Sequence, residues 1–89
     1  MLNRKQMEDV RTTIARNTGV YGGAILVYEN GRFEIHNLLE SEISRAKAYL
    51  SRCENVSLLS VSHRLDFSHI DYLGRPRTKY TITGVWKVE

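Results

Sequence analysis

The 89-residue sequence contains only one cysteine and one proline, so it has little to cross-link a small fold or to interrupt its helices and strands. The single thiol, Cys53, cannot form an internal disulfide or a cysteine-based zinc site by itself, so a reducing, cytoplasmic setting is expected. No apolar run approaches the roughly 18 residues of a membrane-spanning helix. The N-terminus also lacks the apolar stretch of a secretory signal. These absences argue against disulfide-braced secreted scaffolds and against membrane partners.

Sequence motifs of catalysis are missing too. Gly22 and Gly23 precede a predicted strand, whereas the glycines of a phosphate-binding loop precede a helix. No serine or cysteine lies in a nucleophile-elbow motif with a candidate base. On one extended strand, His63 and His69 would be about 20 Å apart at roughly 3.3 Å per residue, too far to share an ion. We therefore expect no enzyme activity, no cofactor and no metal site.

The composition that is present is globular and slightly basic. A hydrophobic share of 42% with a single proline excludes a disordered or low-complexity chain and predicts one domain over residues 1–89. A net charge of +3 is small for a dedicated nucleic-acid binder. Residues 75–79 nevertheless place three cations in five positions. This segment could offer a basic loop to phosphates or to an acidic protein surface, or it could simply keep the protein soluble.

Residues 4–17 are predicted to form a helix. Asn3 is a suitable N-cap, Gln6 completes a capping box three residues later, and Gly19 is a suitable stop because glycine tolerates a positive φ. The apolar stripe is narrow, so the helix is expected to be peripheral, docked on the core or on a partner. That stripe consists of Met7, Val10 and Ile14.

Residues 38–53 are predicted to form the main helix, with Asn37 and Glu40 as a second capping box. Its apolar positions follow a 4-3-4-3 spacing, which makes a complete amphipathic stripe. We interpret Cys53, at the end of the stripe, as a small buried hydrophobe and not as a nucleophile. The stripe consists of Leu39, Ile43, Ala46, Leu50 and Cys53.

Residues 23–36 are predicted to form a hairpin in which Asn30-Gly31 is a two-residue type I′ loop. That loop would fix the register and so decide which side chains share a face. An apolar ridge on the second, partly wet face would be available for self-association. The core face would carry Ala24, Leu26, Tyr28, Phe33 and Ile35. The second face would carry Ile25, Val27, Glu29, Arg32, Glu34 and His36, with Ile25 and Val27 as the ridge.

Residues 57–68 and 78–88 alternate in polarity and are predicted to be two further strands. The segment 69–79 between them is too long for a tight turn and is predicted to be a protruding basic loop. Whether the strands continue into it as a two-stranded arm stays open. One strand face would carry Leu59, Val61, His63, Leu65 and Phe67. The corresponding face of the last strand would carry Tyr80, Ile82, Gly84, Trp86 and Val88.

The element order α-ββ-α-ββ predicts an α+β fold. Its compact solution is a four-stranded antiparallel sheet with the main helix packed on one face. The other face would stay partly open unless the N-terminal helix, a second copy or a target covers it. A homodimer is therefore possible.

The loop chemistry predicts a binding protein. Tyr72 and Leu73 beside Arg75 and Arg77 have the aromatic-plus-arginine character of interface anchors, although the two apolar residues could instead fold back as a small satellite core. The rival hypothesis is a small domain that binds RNA or single-stranded DNA through the basic loop and through exposed sheet aromatics. The predicted binding residues are Arg64, His69, Tyr72, Leu73, Arg75, Arg77 and Lys79.

The hairpin segment Ala24-Ile25-Leu26-Val27-Tyr28-Glu29-Asn30-Gly31, followed by Arg32-Phe33-Glu34-Ile35, resembles the first hairpin of some anti-CRISPR proteins. These are small phage-encoded inhibitors of host defence, and the chain also looks like them in size and element order. The resemblance implies a viral, non-enzymatic inhibitor that acts in the host cytoplasm by docking on a nucleic-acid-processing complex. Because such inhibitors share no family motif, the resemblance assigns no functional residue.

Overall fold

A computed structural model of the chain describes residues 1–87, so the predicted strand position Val88 lies outside the described residues. The first helix, α1, spans Arg4–Thr18 and has the predicted caps. The Asn3 side chain accepts a hydrogen bond from the Gln6 amide at 2.8 Å, and the Gln6 side chain accepts one from the Asn3 amide at 2.9 Å. Gly19 ends the helix in the left-handed conformation, with φ 74°. The predicted capping box and glycine stop are confirmed.

The second helix, α2, spans Glu40–Arg52, and its predicted start was wrong. Leu39 is the N-cap, and its amide donates to the Glu42 carboxylate at 2.9 Å. Asn37 instead has φ 60° and lies near the end of the preceding strand, where its side chain accepts a hydrogen bond from Arg64. Asparagine tolerates a positive φ better than most residues. Asn37 therefore occupies the irregular end of β2 and does not cap α2.

The first hairpin, formed by β1 (Ile25–Val27) and β2 (Arg32–Leu38), has a register different from the predicted one. Ile25 pairs with Ile35, and Val27 pairs with Phe33. The loop has three residues, 29–31, because the Gly31 amide donates to the Tyr28 carbonyl and the Tyr28 amide donates to the Arg32 carbonyl. A type I turn followed by a left-handed glycine is the common alternative to the type I′ loop.

This one-residue difference exchanges the two faces of β1. Ile25 is 1% exposed and belongs to the core, whereas Leu26 is 46% exposed on the other face. The predicted core positions Leu26 and Tyr28 were therefore wrong, and so was the self-association ridge of Ile25 and Val27. Phe33 and Ile35 are core residues, as predicted.

The four strands form one antiparallel sheet in the order β1-β2-β4-β3, in which β3 spans Val56–Ile70 and β4 spans Pro76–Trp86. The α+β fold is confirmed. Both helices contribute to one core on the same face of this sheet, α1 through Val10 and Ile14 and α2 through Ile43, Ala46 and Leu50. The two ends of the predicted stripe, Leu39 and Cys53, are only partly buried, so the interpretation of Cys53 as a buried residue was wrong. Within residues 1–87, no helix is long and apolar enough to cross a membrane. The core residues are Val10, Ile14, Val20, Ile25, Phe33, Ile35, Leu38, Ile43, Ala46, Leu50 and Ile82.

The opposite face of the sheet has no helix on it in the described chain. The pairing register determines its side chains, since directly opposed residues of antiparallel strands share a face. We call it the open face. It carries Leu26, Arg32, Glu34, Ser57, Ser60, Ser62, Thr81, Thr83 and Val85.

The strands β3 and β4 extend beyond the rest of the sheet. The last pair between β2 and β4 is Leu38 with Tyr80, so residues 64–79 form a two-stranded ribbon, called the arm from here on. The arm gives the molecule its elongated dimensions of 49 × 24 × 20 Å. Most of the predicted loop 69–79 is thus strand, and the chain reverses only between Ile70 and Pro76.

Candidate interaction surface

The tip of the arm is a turn organised by one carboxylate. Asp71 accepts hydrogen bonds from the amides of Leu73 and Arg75 at 2.9 and 3.0 Å, and its second oxygen accepts one from the Arg75 side chain at 3.1 Å. The Gly74 amide donates to the Asp71 carbonyl, and Gly74 has φ 79°. The hydrogen bond from the Arg75 amide, more than any other contact, lowers the pKa of Asp71. The turn is therefore ordered by its own residues.

The side chains at the tip point into solvent. Tyr72 is 94% exposed, and Leu73 is 58% exposed. The alternative in which they fold back as a satellite core was wrong, because the Asp71 turn holds them away from the sheet. Because the turn backbone is already ordered, a partner that covers these apolar side chains does not have to order the backbone as well. Tyr72 and Leu73 therefore have the properties of anchor residues.

A second ordered feature lies just below the tip, where β3 bulges between its pairs Asp66–Arg77 and Ile70–Pro76. Asp66 accepts hydrogen bonds from both the amide and the hydroxyl of Ser68, and it contacts the His69 ring at 3.1 Å. These bonds, the Ser68 hydroxyl first, lower the pKa of Asp66 to about 2. The carboxylate is ionised at neutral pH and fixes the bulge.

The grouping of Ser68, His69 and Asp66 does not have the geometry of a catalytic triad. In a triad the histidine contacts the serine with one ring nitrogen and the aspartate with the other. Here the same His69 nitrogen, Nδ1, lies 3.1 Å from both partners. The Ser68 hydroxyl is also bonded directly to the carboxylate. The cluster is a bulge cap with an exposed imidazole.

The cations of the arm lie on the side that continues the open face. Arg64 is directly opposite Lys79, and Asp66 is directly opposite Arg77. Three of the four charges in this group are positive, so the shaft of the arm presents a basic strip to solvent. Arg64 donates to the Asn37 side chain at 2.9 Å, which ties the strip to the body.

The other side of the arm is apolar. Val61, paired with core residue Ile82, begins a row that continues through His63 to Leu65 on the helix side of the sheet. Val61 is 38% exposed and Leu65 is 51% exposed. Phe67, two residues further along β3, is 67% exposed. The alternation of polar and apolar residues in β3 predicted this row. No local signal in the sequence indicates that β3 extends beyond the helices that would otherwise cover the row.

The seven predicted binding residues therefore divide among three places. Tyr72, Leu73 and Arg75 meet at the tip, and His69 lies at the bulge below it. The remaining three, Arg64, Arg77 and Lys79, form the basic strip of the shaft. Arg75 is already paired with Asp71 at 3.1 Å, which leaves its charge partly neutralised.

Most of the sheet aromatics that the nucleic-acid hypothesis requires do not lie on the open face. Tyr80 and Trp86 both pack against the core on the helix side, and Trp86 meets Phe33 edge-on with ring centroids 6.5 Å apart. Tyr28 reaches the open face, and its hydroxyl is engaged by Glu34 at 3.2 Å. Among residues 1–87, the open face lacks the pair of free stacking platforms that bind single strands in other open-sheet domains.

Glu34 is the centre of a polar cluster that the predicted register missed. Its carboxylate is bonded to the Tyr28 hydroxyl at 3.2 Å, to His36 at 3.0 Å and to Arg32 at 3.1 Å. The His36 bond is the largest cause of its lowered pKa. In the predicted register Tyr28 and Glu34 would lie on opposite faces, so sequence reasoning could not bring them together. With its oxygens occupied by neighbours, Glu34 stabilises the hairpin.

Within residues 1–87, no group of three or more histidine, cysteine, aspartate or glutamate side chains is placed to hold a metal ion. Comparisons with protein-family models, with curated proteins and with solved structures gave no match.

Proposed function

We propose that this chain is a non-enzymatic binding protein that docks on a protein partner through the tip of its arm. One observation carries the proposal, which is the 94% exposure of Tyr72 on a turn held by Asp71. Tyrosine and arginine are enriched among the residues that contribute most to binding when an interface buries them, and preorder of the turn reduces the entropic cost of binding.

The partner surface that fits this tip is an acidic one with an apolar recess. Tyr72 and Leu73 would fill the recess, and the basic strip of Arg64, Arg77 and Lys79 would face the surrounding carboxylates. In its finer form, the proposal is that the partner belongs to a nucleic-acid-processing complex of a host cell. The chain would then be a stoichiometric, phage-encoded inhibitor of the anti-CRISPR kind, supported by the resemblance of residues 24–35 and by a basic arm suited to a site built for polyanions.

The test compares two exposed tyrosines. Tyr72→Ala removes the proposed anchor, and Tyr21→Ala removes an 81% exposed tyrosine on the body as the matched control. Each variant and the wild type would capture partners from host extract, and the captured partner would be purified and titrated by calorimetry. We expect Tyr72→Ala to weaken binding at least tenfold and Tyr21→Ala to leave it unchanged. Equal affinity of the wild type and Tyr72→Ala would remove the tip from the interface.

A charge reversal tests the basic strip separately. Arg77→Glu is preferable to a change at Arg75, because Arg75 also holds the Asp71 turn and its loss would disturb the tip. Arg77→Glu should slow association and make it less sensitive to salt, with an unchanged melting temperature. An association rate identical to that of the wild type would show that the partner surface is not acidic.

The second candidate function is binding of RNA or single-stranded DNA, which the basic strip on one side of the arm favours. Three backbone contacts predict an affinity that falls with salt with a log–log slope of about −2. Fluorescence anisotropy with labelled single-stranded oligonucleotides across a salt series measures this slope. Absence of binding at roughly 50 mM salt, where electrostatic binding is strong, would exclude nucleic acid as a major ligand.

A further inference from the structure

The outer edge of β3 is the longest free strand edge in the described chain. The sheet ends at β3, and nothing in residues 1–87 pairs with its outer side. The pairing of β3 with β4 is regular from Ser60 to Asp66 and is interrupted on either side, at Leu58, which has φ 54°, and between Asp66 and Ile70. An unpaired edge offers amide and carbonyl groups to another strand. The edge of residues 59–66 is therefore a site for strand addition, bounded by two bulges.

The other free edges are protected in ways that this one is not. β1 is only three residues long, and a short edge is a poor template. Where β4 is an edge, in the arm, it carries Pro76, Arg77 and Lys79, and proline and charge oppose pairing. Between residues 59 and 65, β3 has no proline, and Arg64 is its one arginine or lysine.

We propose that two copies of the chain pair through this edge of β3, as antiparallel strands related by a two-fold axis at Ser62. The result is a continuous eight-stranded antiparallel sheet with all four helices on one side. An axis at Arg64 would set like charges directly opposite each other, and an axis at His63 would leave the two Arg64 side chains as diagonal neighbours. An axis at Ser62 keeps them far apart.

The register about Ser62 also fits the bulges and the apolar side chains. Leu59 lies opposite Leu65 of the second copy, and Ser60 lies opposite its Arg64, so six of the seven positions from 59 to 65 lie within the regular stretch that begins at Ser60. The pairing brings the arm of each copy alongside the body of the other.

A second copy is the occupant because this register leaves no like charges opposite each other and pairs apolar with apolar side chains at both ends. On the helix side Leu59 meets Leu65 and Val61 meets His63, and on the open face Ser62 meets Ser62 and Ser60 meets Arg64. Leu65, which is 51% exposed in the monomer, is covered by Leu59 of the other copy. This pairing does not depend on the proposed function, because the tip residues 71–75 lie outside the seven pairs and stay free at the two ends of the dimer.

The first test is the mass of the full chain in solution, measured by sedimentation equilibrium from about 1 µM to about 1 mM, the range of weak to moderate affinities. We expect a monomer–dimer equilibrium. Leu65→Lys should abolish it, because it adds an edge charge of the kind that blocks strand pairing. Thr78→Lys is the matched control, since Thr78 lies directly opposite Leu65 on β4 and away from the edge. A monomer at every concentration, or an equal effect of both lysines, would overturn the proposal.

The second test fixes the register by cross-linking in a Cys53→Ser background, with oxidised glutathione as the two-electron oxidant that converts two thiols to one disulfide. Ser62→Cys places two thiols directly opposite each other, with Cβ atoms about 4.5–5.5 Å apart, near disulfide geometry. Ser60→Cys leaves the two thiols about 13 Å apart along the strand. We expect a covalent dimer from Ser62→Cys alone. Equal cross-linking of both variants, or of neither, would contradict the axis at Ser62.

Discussion

His63 and Tyr80 face each other across β3 and β4, with ring centroids 6.1 Å apart and ring planes inclined at 50°. They lie at the level where β2 makes its last pair with β4. Tyr80 packs against the core, whereas no residue of the arm in the described chain belongs to it. This pair is the root at which a packed four-stranded sheet becomes a two-stranded ribbon.

Loss of the root should cost stability, and loss of the tip should not. We expect Tyr80→Ala to reduce the free energy of unfolding by about 2–3 kcal/mol, somewhat less than a fully buried aromatic. Tyr72→Ala, in the same arm but 94% exposed, should stay within about 0.5 kcal/mol of the wild type. Urea denaturation followed by circular dichroism measures both. Equal stabilities for the two variants would contradict the root assignment.

Two glycines with similar backbone angles should respond differently to alanine. Gly31 has φ 89°, and an added Cβ would lie 2.5 Å from the Trp86 carbonyl oxygen. Gly74 has φ 79° with open space around it. We expect Gly74→Ala to cost about 1–2 kcal/mol, the penalty of the left-handed conformation alone. Gly31→Ala should cost clearly more, because strand β4 must also shift. Thermal unfolding of both variants measures the two losses of stability. Similar losses would show that the backbone clash is absent.

Lysine scanning tests the observed hairpin register. Ile25→Lys places a charge in the core, and we expect it to destabilise the fold by more than about 3 kcal/mol. Leu26→Lys lies on the open face and should be nearly neutral. The two-residue loop would exchange these outcomes, since it places Leu26 in the core. Chemical denaturation of the two variants therefore distinguishes the registers directly.

The bulge cap predicts a pH response. Asp66 has a pKa lowered to about 2, so its ionised form stabilises the folded arm above the ordinary value of 3.8. That stabilisation is lost as the pH falls from 3.8 through about 2. Ser68→Ala removes the hydroxyl donor and should raise the folded-state pKa toward 3.8, so the loss still begins near 3.8 but is smaller and is complete at a higher pH. An NMR titration that follows the Asp66 carboxyl carbon measures this pKa.

The matched control for this titration is Ser62→Ala. Ser62 lies on the same strand, four residues from Asp66, and contributes nothing to the lowering of its pKa. An unchanged Asp66 pKa in Ser68→Ala would mean that the hydroxyl bond is not its main cause.

Elements with local signals were predictable from the sequence. The Asn3–Gln6 capping box and Gly19 fix α1, and the apolar stripe from Ile43 to Leu50 fixes α2. Alternation located β3 and β4, whose pairing was then implied by the element order. In each case the sequence signal that identifies the element lies within a short stretch of the chain.

Features decided by distant residues were not predictable. Asn30-Gly31 suits both a two-residue and a three-residue loop, and the choice is tied to the pairing of β2 with β4, where the Trp86 amide donates to the Gly31 carbonyl at 2.8 Å. Leu58 has a positive φ, and a leucine in the sequence does not predict that conformation. The chemistry of the tip residues was enough to predict them as binding residues. Their exposure depends on how far β3 and β4 extend beyond the rest of the sheet.

The separation of the arm from the core has a consequence for sequence change. Residues 64–79 carry the proposed contacts, while the side chains that specify the fold lie in the body. Substitutions at the tip therefore leave the folding of the body unaffected, and the ribbon can be exchanged as a unit above the His63–Tyr80 level. A lineage carrying this fold could change targets rapidly while its scaffold stays constant.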